Sequence, residues 1–460
     1  MSPSIQFLGA ARSVTGSKFL FKTKTHEALI ECGLFQGLKE LRQRNWDPLP
    51  MDPAKVDGAL LTHAHIDHTG GLPRLIKQGY AGPVYCTPAT RDLLGLLLPD
   101  SGHLHEEEAR YANKEGFSKH APALPLYTEE DGEAALKSLR SVDYGKPIQI
   151  APGMEAVFYP SGHILGAAFV ELRAEGKRVV FSGDIGGYSS QVMRAPAPLP
   201  DGLDAVLVES TYGGRKQDHR PIEDQLAEKM APCLKRGGVV VIPAFAVGRT
   251  TVVLYHLRRL QESGRLPRCP VIVDSPMATD AVEIYVKYGH EHNLKVDMLK
   301  NSKDCPILTQ TTRLVKKAED SKKLNSEKGP LIIISASGMA TSGRITHHLK
   351  NRLPDPKNLI LLVGFQAAGT RGRQLLEGKK FVKIHGQEVG VRAEVAAVNG
   401  LSAHGDSDDI VKWLGSAKVP PKRVFLVHGE DEGLNAMSKR VGEELKLPWH
   451  IPDYMETQVI

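Results

Sequence analysis

The sequence is poor in several features that would narrow a protein's class. It has five cysteines in 460 residues (Cys32, Cys86, Cys233, Cys269, Cys305), and none forms a CxxC pair. An odd, dispersed set excludes a disulfide framework and reads as buried thiols in a reducing compartment. No apolar run approaches the ~18 residues of a membrane span. The start, "MSPSIQFLGAARSVTG", lacks the charged end and apolar stretch of a secretory leader. The expectation is a cytoplasmic protein with no membrane partner. Neither sign of charge dominates: 59 Lys and Arg against 53 Asp and Glu give +6. That small excess suits an anionic partner without naming one. Aromatics are scarce, at 6%, so no base-stacking platform and little sequence preference are expected of any nucleic-acid contact.

The chain is longer than single cores usually grow, which implies two domains. The first third reads as short strands ("SIQFLG", "SKFLFKT", "EALIECG", "DGALLTH", "PVYCT") separated by turn residues. Residues 90–140 are more helical and charged, and strands then return up to "AVLVEST". From about residue 205, apolar runs such as "GGVVVIPAF", "PVIVDS", "GPLIIISAS" and "NLILLVGF" alternate with amphipathic helices. Near-continuous Val, Ile and Leu between helices indicates buried parallel strands. Strand-rich texture resumes after about residue 380. The simplest organisation is one domain (1–208 and 379–460) interrupted by an inserted α/β domain (209–378).

The densest chemistry lies in "LTHAHIDHTGGL", where His63, His65, Asp67 and His68 fall within six residues at the end of an apolar strand. Imidazoles and a carboxylate at this spacing suit two adjacent divalent ions, with zinc favoured by nitrogen-rich ligation. One motif cannot complete two sites. Three further strand ends offer partners: His163 in "YPSGHILGA", Asp184 in "VVFSGDIGG" and His428 in "VFLVHGEDE".

HxHxDH followed by SGH, SGD and a late VHGE resembles the metallo-β-lactamase superfamily. The resemblance implies an αββα sandwich with a dinuclear zinc site at one edge. It assigns His63, His65 and His163 to one zinc and Asp67, His68 and His428 to the other. Asp184 and a hydroxide would bridge them. The chain departs from the family at Glu31 in "LIECGLFQG", where an Asp usually orients the metal site from behind the ligands. The extra methylene would move that carboxylate by roughly one C–C bond length if the backbone held still.

The site alone does not name a substrate, because this fold hosts several hydrolytic chemistries. "VESTYGGR", "LSAHGD" and "LVHGE" resemble the β-CASP motifs and carry Glu209, His404 and His428. The β-CASP resemblance implies a ribonuclease related to the pre-mRNA 3′-end endonuclease. Its two zinc ions, with Asp67, Glu209 and His404 at the reaction centre, would hydrolyse RNA phosphodiesters in an endonucleolytic or 5′–3′ exonucleolytic mode. His404 poised by Glu209 suits a general acid. The glycine-rich turns "SASGMATSGR" and "QAAGTRGR" offer backbone N–H groups to phosphates. Arg249, Ser337, Gly338, Arg344, Gly369 and Arg371 are therefore the expected contacts to a single-stranded RNA backbone. A homodimer is a permitted assembly. The rival readings are a small-molecule thioesterase or lactonase, which would lack an insert of about 170 residues, and a non-catalytic RNA-processing scaffold, which would have lost ligands.

Overall fold

A computed structural model describes residues 2–116, 118, 120–216, 218, 220–294 and 307–460. The chain divides into two compact units, Met1–Lys216 with His404–Ile460, and Gln217–Ala403.

The first unit is built on two seven-stranded sheets. One holds β1 (Ser4–Phe7), β2 (Phe19–Lys22), β3 (Glu27–Ile30), β4 (Val56–Leu60), β5 (Val84–Cys86) and β6 (Leu139–Ser141), with the last strand of the chain beside β1. The other holds β7 (Pro147–Ala151), β8 (Met154–Pro160), β9 (Ala168–Ala174), β10 (Lys177–Phe181) and β11 (Ala205–Glu209), joined by strands from the chain's final segment. Phe7, Phe19, Phe21 and Ile30 from one sheet meet Phe158, Val170, Leu172, Phe181 and Leu207 from the other in one buried core.

Side chains alternate across a strand. In β11, Ala205 and Leu207 enter this core, while Val206 and Val208 face a second one with Ile410, Trp413, Leu434 and Met437. Those four sit on the helices Ser407–Leu414 and Asp431–Glu443, which cover that sheet. The helix Pro88–Glu115 packs against β6 of the first sheet. Because both faces are covered, these strands read as unbroken apolar runs rather than as alternation.

The second unit has six parallel strands. In chain order they are β12 (Val239–Pro243), β13 (Val271–Asp274), β14 (Thr312–Leu314), β15 (Leu331–Ser335), β16 (Leu359–Leu362) and β19 (Glu394–Ala397), after the hairpin β17 (Phe381–Ile384) and β18 (Gln387–Gly390). Their spatial order is β14-β13-β15-β12-β16-β19. The sequence boundary at 378 assigned β17 to β19 to the first domain, whereas β19 pairs with β16 and belongs to the second unit. β20 (Val424–Val427), β21 (Trp449–His450) and β22 (Thr457–Val459) return to the first unit, β20 beside β11 and β22 beside β1.

The second unit has a buried polar hub. Asp274, at the end of β13, accepts hydrogen bonds from Ser321 Oγ (2.5 Å), Arg344 Nη1 (2.7 Å) and His348 Nε2 (2.7 Å). Burial would raise its pKa, but the bonds from His348, Ser321 and Arg344 outweigh burial and hold it below the ordinary carboxylate value. A folded pKa below the unfolded one means the stabilisation is fully present above roughly pH 4 and is lost as pH falls through the folded value. Asp274→Ala is expected to destabilise the protein by about 3 kcal/mol at pH 7. Denaturant unfolding should show that difference from wild type shrinking below about pH 4.

The four described cysteines, Cys32, Cys86, Cys233 and Cys269, are buried and unpaired, and Cys305 lies outside the described residues. Among the described residues no helix is long and apolar enough to cross a membrane.

Candidate active site

Glu31, His63, His163, Asp184, Glu209 and His428 lie at or just beyond the C-terminal ends of β3, β4, β8, β10, β11 and β20. After β4 the chain turns at Thr62 and His63, and His65 is the N-cap of a short helix, Ile66–Thr69, that carries Asp67 and His68. This helical turn is separate from the next helix, Leu72–Lys77. Two neighbouring loops pin it: Ser17 N donates to Asp67 O (2.9 Å) and Cys32 N to His68 O (2.8 Å). Gly33 permits that approach, since a Cβ there would collide with the Asp67 carbonyl. Glu31 and His428 adopt left-handed φ values of 63° and 50°, so each strand bends sharply where its functional side chain emerges.

Two clusters face one carboxylate. Asp184 Oδ2 lies 3.4 Å from both His63 Nε2 and His163 Nε2, and His65 Nδ1 is 3.1 Å and 3.2 Å from those two nitrogens. Asp184 Oδ1 lies 3.4 Å from His68 Nε2. His428 Nε2 is 3.1 Å from His68 Nε2 and 3.7 Å from Asp67 Oδ2. Nitrogen ligands about 2.0–2.1 Å from one zinc in a tetrahedron stand about 3.3 Å apart, close to these separations. Asp184 Oδ1 is buried with no hydrogen-bond partner, which is costly unless a cation satisfies it. The residues therefore fit divalent metal.

Hydrogen bonds set the tautomers. The Thr62 hydroxyl donates its single proton to Glu31 Oε1, so it accepts from His63 Nδ1–H (3.0 Å), leaving a lone pair on His63 Nε2. The Thr211 hydroxyl donates to the His428 carbonyl (3.2 Å) and accepts from His428 Nδ1–H (3.1 Å), with the same result for Nε2. Glu31 Oε1 lies 3.4 Å from His68 Nδ1, and Oε2 accepts from Thr62 N (3.3 Å). The longer side chain at position 31 thus still reaches the back of a site histidine.

Burial pushes His63 and His163 well below the ordinary imidazole value, and His65 down to about 4. Asp184 is held well below the carboxylate range, because His68, His428, His404 and His63 outweigh its burial. Neutral His63, His65 and His163 beside an ionised carboxylate are in the states that bind metal, whereas at His68 the lowering by burial is outweighed by Asp184 and Glu31, which hold it well above the ordinary imidazole value.

Glu209 is buried. Its Oε1 accepts from Ile185 N (2.7 Å), and its carboxylate takes His404 Nδ1–H at 2.8 and 3.0 Å. That bond directs His404 Nε2 toward the centre, 3.8 Å from Asp184 Oδ2, with the ring against His163. Thr62 and Thr211 were not singled out in the sequence. Each directly neighbours a recognised motif residue or lies two positions from one, but a lone threonine carries no chemical signature.

The remaining expected contacts lie in the second unit, in the turns and helix starts that follow its parallel strands: Arg249, Arg344 and Arg371 each open a helix. Ser337 and Gly338 follow β15, and Gly369 and Arg371 follow β16. Arg249 is buried, and its guanidinium donates to Val363 O. Arg344 bonds Asp274, Val315 O (3.1 Å) and Lys316 O (2.6 Å), and Arg371 bonds Lys383 O (3.1 Å), Ala340 O and Thr341 O (3.3 Å).

An αββα sandwich with this His and Asp centre at its strand ends defines a metal-dependent hydrolase of the metallo-β-lactamase type. Residues 15–230 match the metallo-beta-lactamase superfamily, 250–375 the Beta-Casp domain, and 388–452 the Zn-dependent metallo-hydrolase RNA specificity domain. The chain is 38% identical to Ribonuclease TTHA0252 of Thermus thermophilus, over 95% of this chain and 96% of that protein. It is 30% identical to an RNase J-like protein of Methanocaldococcus jannaschii, over 97% of each. It is also 30% identical to the transcription termination factor FttA of that organism, over 97% of this chain and 70% of the other. A solved protein of unknown function from Enterococcus faecalis V583 shares the fold at TM-score 0.52 and 13% identity, covering all of both chains. The chain belongs to the β-CASP RNA nucleases of the metallo-β-lactamase superfamily.

One consequence concerns Glu31. Glu31→Gln keeps the shape but removes the charge behind His68, and is expected to weaken metal affinity by about 10–100-fold. Competition with a chromogenic chelator would measure it, and unchanged affinity would reduce Glu31 to a packing role.

Proposed function

We propose that this protein is a dinuclear zinc ribonuclease in which His63, His65 and His163 hold one ion, Asp67, His68 and His428 the other, and Asp184 both. The observation that carries the catalytic part is the buried Glu209 carboxylate on His404 Nδ1 at 2.8 Å. Bound divalent ions supply an activated water and neutralise charge on the phosphate. The rest belongs to the chain. Glu209 fixes the tautomer and orientation of His404 and stabilises its imidazolium form. His404 presents Nε2 to the scissile phosphodiester and delivers a proton from it to the leaving oxygen. Thr62 and Thr211 keep His63 and His428 in the metal-binding tautomer.

In the second unit, RNA phosphates are bound by the turns at Ser337, Gly338 and Gly369 and by Arg344 and Arg371, whose existing bonds leave further N–H donors on each guanidinium. Arg249, whose guanidinium also donates to the Val363 carbonyl, belongs to the same set of contacts. Binding of this kind weakens steeply with salt. Neutralising Arg344 and Arg371 together should lower RNA affinity and flatten the salt slope by about one unit per lost contact, with metal content unchanged.

The decisive experiment incubates zinc-loaded protein with 5′-labelled RNA bearing mono- or triphosphate ends, and follows product length with time. Elemental analysis should find two zinc ions per chain. Thioester or lactone hydrolysis with RNA left intact would overturn the reading.

A further inference from the structure

Lys18 is only 8% exposed. Among the described residues its ammonium has neither a hydrogen-bond nor an ion-pair partner. A buried ammonium without a counter-charge is unfavourable, and a core would be expected to exclude it. Lys18 instead lines a pocket of the first unit together with Arg44, Arg74, Asn45, Asp47 and Tyr454.

Two more cations therefore share the cavity. Arg44 stacks its guanidinium on the Tyr454 ring at 4.0 Å and makes no side-chain hydrogen bond, so its N–H edge is unspent. Arg74 donates one N–H to Asp47 O at 3.2 Å. The acidic side chain in the lining, Asp47, is exposed and makes no ion pair with Lys18, Arg44 or Arg74. Asn45 is tied to the backbone of Phe35 through both ends of its amide, 2.8 Å each, which fixes the loop that carries Arg44. A rigid cavity with three cationic groups and one outward carboxylate is complementary to a small multivalent anion.

We propose that this pocket binds a phosphate-type oxyanion, with Lys18, Arg44 and Arg74 as its donors. Burial, and secondarily Arg74, lowers the Lys18 pKa; a bound anion reverses that tendency and restores a full ammonium. Trp46, between the lining residues Asn45 and Asp47 in sequence, is 57% exposed. The site is independent of whether the metal centre cuts RNA.

The test titrates inorganic phosphate calorimetrically into zinc-loaded wild type, Lys18→Met and Arg44→Gln, with metal content and thermal unfolding measured in parallel. Phosphate that reaches the metals is common to all three proteins, so the pocket is read as the difference. The expected result is a binding event lost in Lys18→Met and weakened about tenfold in Arg44→Gln, with equal zinc in all. Identical isotherms, or no binding beyond one metal-dependent event, overturn the proposal. If Lys18→Met fails to fold, Arg44→Gln carries the comparison. A second arm titrates 5′-phosphorylated RNA into each variant in a His404→Ala background. RNA affinity falling with phosphate affinity assigns the pocket to RNA phosphates; RNA affinity unchanged while phosphate binding is lost assigns it to a free oxyanion.

Discussion

His404→Ala should lower RNA cleavage by roughly 10²–10⁴, the range for loss of a general acid, while zinc content and RNA affinity stay close to wild type. The reason lies in how the side chain is held. Its Nδ1 is committed to Glu209, which is itself anchored by the amide of Ile185. Its Nε2 stands farther from Asp184 (3.8 Å) than the nitrogens of His63, His163 and His68 (3.4 Å). It touches the centre without completing either cluster. Glu209→Gln should follow in the same direction with a smaller loss, because an amide still accepts a hydrogen bond but does not stabilise the imidazolium. Loss of zinc in His404→Ala would make His404 a ligand and overturn its assignment as the acid.

Asp184→Asn should have a still larger effect and of a different kind. Each carboxylate oxygen faces a different histidine cluster, so a neutral amide removes one oxygen ligand outright and the negative charge from both sites. Both ions are expected to leave together, and cleavage should fall to background. Strong chelation of wild type should reproduce this state, and added zinc should rescue wild type but not the variant. Plasma emission analysis beside a cleavage assay reads both quantities. A variant that kept one tightly bound ion per chain would show that the two clusters fill independently.

The parts of this arrangement visible in the sequence are those whose chemistry is local. His63, His65, Asp67 and His68 crowd one turn, and that density is improbable without metal. His163, Asp184 and His428 were legible because each ends a strand at a small-residue turn. Thr62 and Thr211 were not, since a hydroxyl that selects a tautomer looks like any other hydroxyl until its partners are known. The domain edge was misread for a related reason. "VRAEVAAVNG" has the half-exposed pattern of an edge strand, and residue pattern alone does not say which sheet owns that edge; only pairing with β16 does. Arg249 was read as a phosphate contact from its place in a glycine-rich turn; that its guanidinium also donates to the Val363 carbonyl has no mark in the sequence.

The metal-bearing unit is assembled from two separated stretches of chain, and the second, His404–Ile460, brings His404, His428 and the strands that flank β11 and β1. During ribosomal synthesis, which proceeds from the N-terminus and folds domains as they emerge, the first stretch and the entire insert are made before either of these histidines exists. A nascent chain thus carries most of a metal-binding surface with no means of finishing it. The centre therefore waits for the insert: neither histidine can join it before the whole of Gln217–Ala403 has been made.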